Sequence, residues 1–180
     1  MIFRGLILSL ALALVCGFSF NAKAGDLHVV KVLDGKAEIS LPAGFTLMSE
    51  DMKHLKYPSS SPPKEVYSDE SGDVNVAMKI IPNPRKVSVE ALLSAMAGGV
   101  DRVGNITWHD KGKRTIHGFE FGYLEFNARP QDKEIYNYIY VTQAGDEMLM
   151  FNFNSTVEKL PAWRETITKV VASTRILVAP

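Results

Sequence analysis

Ile135-Tyr136-Asn137-Tyr138-Ile139-Tyr140-Val141-Thr142-Gln143 alternates tyrosines with mostly aliphatic residues. In an extended strand the side chains alternate across the sheet, so Tyr136, Tyr138 and Tyr140 share one face and Ile135, Ile139 and Val141 occupy the other. Phe119, Phe121 and Tyr123 repeat the alternation from Phe119 to Asn127, and Leu149, Phe151 and Phe153 alternate with Met148 and Met150 from Glu147 to Asn154. His117-Gly118 and Gly145-Asp146 are the turns between them. Strands joined by such short turns pair antiparallel, which predicts an antiparallel sheet at the centre of the fold. Asn152 and Asn154 continue the methionine face and predict that it reaches solvent at one end.

Upstream, Ile106 to His109 and Arg114 to Ile116 read as two short strand pieces, with the basic run Gly112-Lys113-Arg114-Thr115 as a turn between them. Arg114 breaks the Lys-Ser/Thr pair that a phosphate loop requires, so this run is not one. Ser88 offers an N-cap to a helix whose Val89, Leu92, Leu93, Met96 and Val100 form one apolar stripe, weakening at Gly98-Gly99. Val66 to Ser68 and Val74 to Ile81 are strands, the second stopped by Pro82 and Pro84. Ser49 to Glu65, with Ser59-Ser60-Ser61-Pro62-Pro63, reads as a mobile loop. His28–Leu33 and Lys36–Leu41 flank Asp34-Gly35, a dipeptide suited to a two-residue hairpin turn. Downstream, a last helix opens either at Ser155, with Glu158 completing a capping box, or at Pro161, and buries Trp163, Ile167, Val170 and Val171. Arg175 to Val178 adds a short closing strand. The predicted class is α+β: an antiparallel sheet sandwiched by two main amphipathic helices.

The N-terminus reads as an address. Arg4 precedes an apolar run from Leu6 to Phe20, and Ala22-Lys23-Ala24 has the small-x-small form of a cleavage site, so residues 1–24 are expected to be a signal peptide and residues 25–180 a single domain. The run is shorter than the roughly 20 residues a bilayer-spanning helix needs, so no stable transmembrane anchor is expected after cleavage. Cys16 lies inside it, preceded by Val15 where a lipoprotein box carries a small residue, which disfavours acylation. Removing Arg4 and Lys23 leaves 18 basic against 20 acidic residues in a mature chain without cysteine. Thiol catalysis, disulfides and thiolate metal sites are therefore excluded there. A chain of 180 residues with 20 basic, 20 acidic and 46% hydrophobic residues also lacks the basic excess of a nucleic-acid binder.

Leu33-Asp34-Gly35-Lys36, Ser40-Leu41-Pro42-Ala43, and Tyr67-Ser68-Asp69 followed by Gly72 together resemble the DcrB family of bacterial envelope proteins, colinearly from about Val32 to Leu177. The resemblance implies a PsbP-like fold, a place at the periplasmic side of the envelope, and a role in phage adsorption or envelope upkeep. It carries no catalytic residue and no cofactor. Members are often lipoproteins, from which the poor box at Cys16 departs.

Three functions compete. The first is a non-catalytic periplasmic binding or scaffold protein that meets an envelope protein or peptide through Phe119, Phe121, Tyr123, Tyr136, Tyr138 and Tyr140 and through the Ser49 to Glu65 loop; the same aromatics could instead be covered by a helix. The second is a hydrolase or metal-assisted enzyme built from His109, Asp110, His117 and Glu120, which requires the histidines to meet by folding back around Gly112. Lys111, Lys113 and Arg114 lie between those ligands and would repel a cation. The third is a small-molecule carrier, which needs an enclosed apolar cavity. G-x-S-x-G, H-E-x-x-H and Gly-rich phosphate loops are absent, so no catalytic or metal residue is assigned.

Overall fold

A computed structural model describes residues 26–129 and 133–178. The expected signal peptide, its cleavage site and Cys16 lie outside the described residues. The chain forms β1 (Leu27–Val32), β2 (Ala37–Pro42), β3 (Thr46–Leu47), α1 (Glu50–Lys56), β4 (Glu65–Ser68), β5 (Val74–Pro82), α2 (Val89–Val103), β6 (Ile106–Ile116), β7 (Phe119–Ala128), β8 (Ile135–Ala144), β9 (Glu147–Thr156), α3 (Leu160–Ser173) and β10 (Arg175–Ile176). Seven strands make an antiparallel sheet in the order β3-β4-β5-β9-β8-β7-β6, and β1-β2-β10 make a second, small sheet.

The alternation read from the sequence sets which layer each side chain enters. Tyr136, Tyr138 and Tyr140 of β8 pair with Asn127, Glu125 and Tyr123 of β7 and with Ser155, Phe153 and Phe151 of β9. This face packs against the small sheet and α3, through Ile39 and Leu41 from β2 and Ile167, Val170 and Val171 from α3. The opposite face carries Leu124, Phe126, Ile139, Val141 and Met148, which pack against Val89 and Leu93 of α2. The layering therefore differs from the expected pair of helices. The small sheet shares one face with α3, and at the β4–β5 end Met48, Val66 and Ala77 are buried with Tyr57, the C-cap of α1, against them.

Five local expectations change. The Asp34-Gly35 turn is a four-residue loop, because Val32 pairs with Ala37 and leaves Leu33 to Lys36 outside the ladder. Leu33 adopts φ 55° there, a left-handed conformation that costs about 1–2 kcal/mol. Its side chain is fully buried, which returns about 1.5–3 kcal/mol, and its N–H donates to Glu65 Oε1 at 2.8 Å. Ser49 to Glu65 is not all loop: Ser49 caps α1 by accepting from the Met52 N–H at 3.4 Å. Seven residues, only Met52 and Leu55 of them apolar, are too few to show a helical period.

The helix α2 runs through Gly98-Gly99 to Val103 and stops at Gly104, φ 76°, because the packing of its apolar stripe outweighs the low propensity of two glycines. On β7, Gly122 lies directly beneath it: a Cβ there would come within 2.3 Å of Leu93 Cδ1 and 2.7 Å of Val89 Cγ1, so glycine permits the close helix–sheet contact. The helix α3 starts at Leu160 with Pro161 in its first turn, whereas Ser155 remains in β9 with its hydroxyl on the Thr156 carbonyl. Finally, Ile106 to Ile116 is one eleven-residue strand with a bulge between Trp108 and Asp110. Gly112, expected in a turn, sits mid-strand opposite Tyr123, whose hydroxyl would stand 3.2 Å from an added Cβ.

Candidate functional site

The six aromatics singled out in the sequence lie on one face, gathered there by the β7–β8 register, but they do not form an open patch. Phe121 and Tyr140 are fully buried, and Tyr136 and Tyr138 nearly so, beneath the α3 layer. Phe119 and Tyr123 keep partial exposure. Burial pushes the Tyr136, Tyr138 and Tyr140 hydroxyls well above the ordinary phenol range, reinforced at Tyr136 by the Glu125 carboxylate.

Coverage ends before the sheet does. Among the described residues the strand β6 pairs only with β7, which leaves its outer edge unpaired there, and its residues from Thr107 to Thr115 keep some exposure. The opposite edge, β3, is two residues long. Clefts flank the β6 edge on both faces. On the α2 side a hollow of about 340 Å³ is lined by Glu90, Leu93, Ala97, Lys111 and Lys113. On the α3 side another of about 340 Å³ is lined by Arg114, Ile116, His117, Thr168 and Ala172. It adjoins a smaller cleft, about 160 Å³, lined by Arg114, Glu125, Tyr136, Tyr138, Arg164 and Thr168.

This smaller cleft concentrates polar groups against an apolar wall. Tyr136 donates to Glu125 Oε1 at 2.9 Å, and Arg164 Nη1 approaches the same oxygen at 3.5 Å. The Arg114 guanidinium rests 4.2 Å from the centroid of the Tyr123 ring and 5.5 Å from that of Tyr138. The two tyrosine rings stack at 5.8 Å. Arg114 pairs with no carboxylate among the described residues, whereas Lys113 pairs with Glu120 at 3.3 Å. The Tyr138 hydroxyl is buried without a hydrogen-bond partner among the described residues.

The residues of the enzyme alternative are kept apart. His109 and His117 sit near opposite ends of one extended stretch, and eight residues at about 3.3 Å each separate them by roughly 25 Å. His109 contacts Asn127 Oδ1 at 2.9 Å, and His117 reaches the Ala172 carbonyl at 3.0 Å. Asp110 accepts from Tyr123 Oη and the Lys111 N–H, both at 2.8 Å. Among the described residues no three His, Cys, Asp or Glu side chains are placed to hold a metal. A larger hollow, about 580 Å³ beside the β6–β7 turn, is lined by His117 and Glu120 but also by Val89, Phe119 and Thr142, and it is open to solvent. Its ionisable groups are engaged with α3 and with Lys113, so chemistry converges in the smaller cleft instead. Trp163 packs on Phe45 at 5.4 Å, and Trp108 on Phe126 at 5.1 Å with its Nε1–H on Asp101.

Arg114, Arg164 and Glu125 were not among the predicted site residues. One signal existed for Arg114: it continues the Gly112 face of an extended strand, opposite Phe121. Treating Gly112-Lys113 as a turn hides that.

No protein-family model matches the chain, and no curated protein matches it in sequence. Its fold is similar to that of solved structures. Cyanobacterial PsbP (CyanoP) from Synechocystis superposes with a TM-score of 0.65 at 16% identity over 89% of this chain and 96% of that one. LpqN, described as involved in cell envelope biogenesis of Mycobacterium tuberculosis, gives 0.56 at 12% identity over 86% and 94%. The Saccharomyces cerevisiae Ran-binding protein Mog1p gives 0.54 at 11% identity over 85% and 96%. The chain has a PsbP-like α+β fold. At these identities the likeness establishes the fold alone.

Proposed function

We propose that this chain is a non-catalytic binding or scaffold protein of the cell envelope, exported to the periplasm and of the DcrB type, with a role in phage adsorption or envelope upkeep. Its partner is an envelope protein that presents an extended acidic segment to the outer edge of β6. The carrying observation is that edge: an eleven-residue strand with one side unpaired, flanked by clefts on both sheet faces. A free edge supplies main-chain donors and acceptors to an added strand, and flanking clefts receive alternate side chains. Lys111, Lys113 and Arg114 discourage pairing with a second basic edge and favour an acidic one. Of the predicted aromatics, Phe119 and Tyr123 lie nearest this edge and are the ones a partner can reach. The N-terminal address supports export, and among the described residues no helix is long and apolar enough to cross a membrane. LpqN, with the same fold, is described by its envelope role, and Mog1p by binding another protein.

The test is site-specific photocrosslinking in cells from Lys113 and Thr115, with the exposed Leu47 at the other sheet edge as control. A discrete adduct from the β6 positions that disappears in a Lys111→Glu variant is expected. Equal adducts from Leu47, or adducts unaffected by the charge reversal, would overturn the edge as the docking surface.

A further inference from the structure

We infer that the cleft between β6 and α3 is a carboxylate-binding subsite, in which Arg114, Arg164 and the Tyr138 hydroxyl receive one acidic side chain or the terminal carboxylate of the segment docked along β6. The subsite rests on the docking role of that edge and names the chemistry the edge selects.

Three observations converge. Tyr138 is 5% exposed and its hydroxyl has no hydrogen-bond partner among the described residues; an unsatisfied buried hydroxyl is unfavourable, and a ligand oxygen would satisfy it. Two guanidiniums line the same cleft with one lining carboxylate, Glu125, while Asp110 stands just outside the lining, bonded to Tyr123. Arg164 meets Glu125 through one nitrogen at 3.5 Å, and Arg114 is held only by the faces of Tyr123 and Tyr138. A guanidinium parked on aromatic rings retains its fork of donors, and a planar carboxylate is the partner that fork fits in a bidentate manner. Asp110 does not compete, because it lies outside the lining and accepts from Tyr123 and the Lys111 N–H.

Size fits as well as charge. A cleft of about 160 Å³ has room for a carboxylate on a short side chain. Its continuation past Arg114 toward His117 and Ala172 gives the rest of a peptide a path along the same strand. The Tyr138 hydroxyl is shielded by the side chains around it, so the anion reaches it as Arg114 leaves the tyrosine rings to pair with the entering carboxylate.

The test uses the full mature chain with tyrosine rings labelled for NMR, titrated with propionate, propionamide, inorganic phosphate and an acetylated Glu-containing tetrapeptide. Propionate and the tetrapeptide are expected to shift the Tyr138 and Tyr123 ring signals saturably, the peptide more tightly, while propionamide leaves them unmoved. Arg114→Gln is expected to weaken the peptide at least tenfold and Arg114→Lys by less. Tyr138→Phe, which keeps the ring, is expected to weaken it severalfold. A response to propionamide equal to that of propionate, tighter binding of phosphate than of the carboxylates, or unchanged affinity in Arg114→Gln with its amide spectrum intact would each overturn the subsite. The two ideas fail separately. Crosslinking from Lys113 that persists without any carboxylate response removes the subsite and leaves the docking edge, whereas carboxylate binding without β6 adducts removes the docking edge.

Discussion

Tyr138 and Tyr140 stand two residues apart on β8 and face the same way, yet they live in different chemistry. At the inner end, Tyr140 is fully buried, stacks on Phe151 with centroids 4.9 Å apart, and places its hydroxyl 3.0 Å from Thr174 Oγ1. At the outer end, Tyr138 stacks on Tyr123 beneath Arg114 and its hydroxyl has no partner. The difference follows from how α3 lies over the sheet: Val170 belongs to the core around Tyr140, while Arg164, Thr168 and Val171 line the clefts beside β6. One continuous face thus serves as core at one end and as a lined cleft at the other.

The largest departure from this contrast comes with alkaline pH, because both ends keep their phenols protonated. Burial raises Tyr136, Tyr138 and Tyr140 above the ordinary value of 10, and at the other end of the sheet it pushes Tyr57 up to about 12 against the lowering effect of Asn154. Below pH 10 both folded and unfolded chains hold these protons and stability is intact. Above it the unfolded chain ionises first, so stability falls as pH climbs from 10 through the raised values. Tyrosinate absorbance is expected to appear together with loss of far-UV circular dichroism; gradual ionisation with the fold intact would contradict closed packing at the inner end.

Next in size, Tyr140→Ala should cost about 3–5 kcal/mol in urea unfolding, the usual result of emptying a filled aromatic site. Gly122→Ala on the opposite face should cost about 1–3 kcal/mol by pushing Leu93 and Val89 off the sheet, and a loss below about 0.5 kcal/mol would mean that α2 yields without strain. The smallest effect is the most discriminating. Tyr140→Phe should lose about 1 kcal/mol with its hydrogen bond, whereas Tyr138→Phe should lose nothing and gain up to about 1 kcal/mol, since it breaks no bond and removes an unsatisfied buried hydroxyl. Equal losses at the two positions would erase the distinction between them.

Much of the fold was legible because it rests on short-range rules. The alternation in β7, β8 and β9 fixed their faces, Ser88 and the stripe through Leu93 placed α2, and Pro161 marked the start of α3. The errors fall where a distant partner overrides local preference. The neighbour of Gly112 is Tyr123, not a turn, and Leu33 accepts a left-handed backbone because its side chain enters a core assembled from β5 and β9. The small sheet was also hidden, since β10 is two residues long and pairs with β2 from the far end of the chain.

The candidate site divides along the same line. The sequence alone determined that Tyr136, Tyr138 and Tyr140 share one face of their strand and Phe119, Phe121 and Tyr123 one face of theirs, since side chains alternate along a strand; the register of β7 against β8 brought the two sets to the same face. Whether that face was open, closed or half of each depended on the length and path of α3 and on β6 being continuous past Gly112. Those are decided by contacts between segments about fifty residues apart, as between Arg164 on α3 and Arg114 on β6, which line one cleft. Local propensity acts over a few residues, but burial and charge pairing act through space, so only the folded chain could bring two arginines to an unpartnered tyrosine.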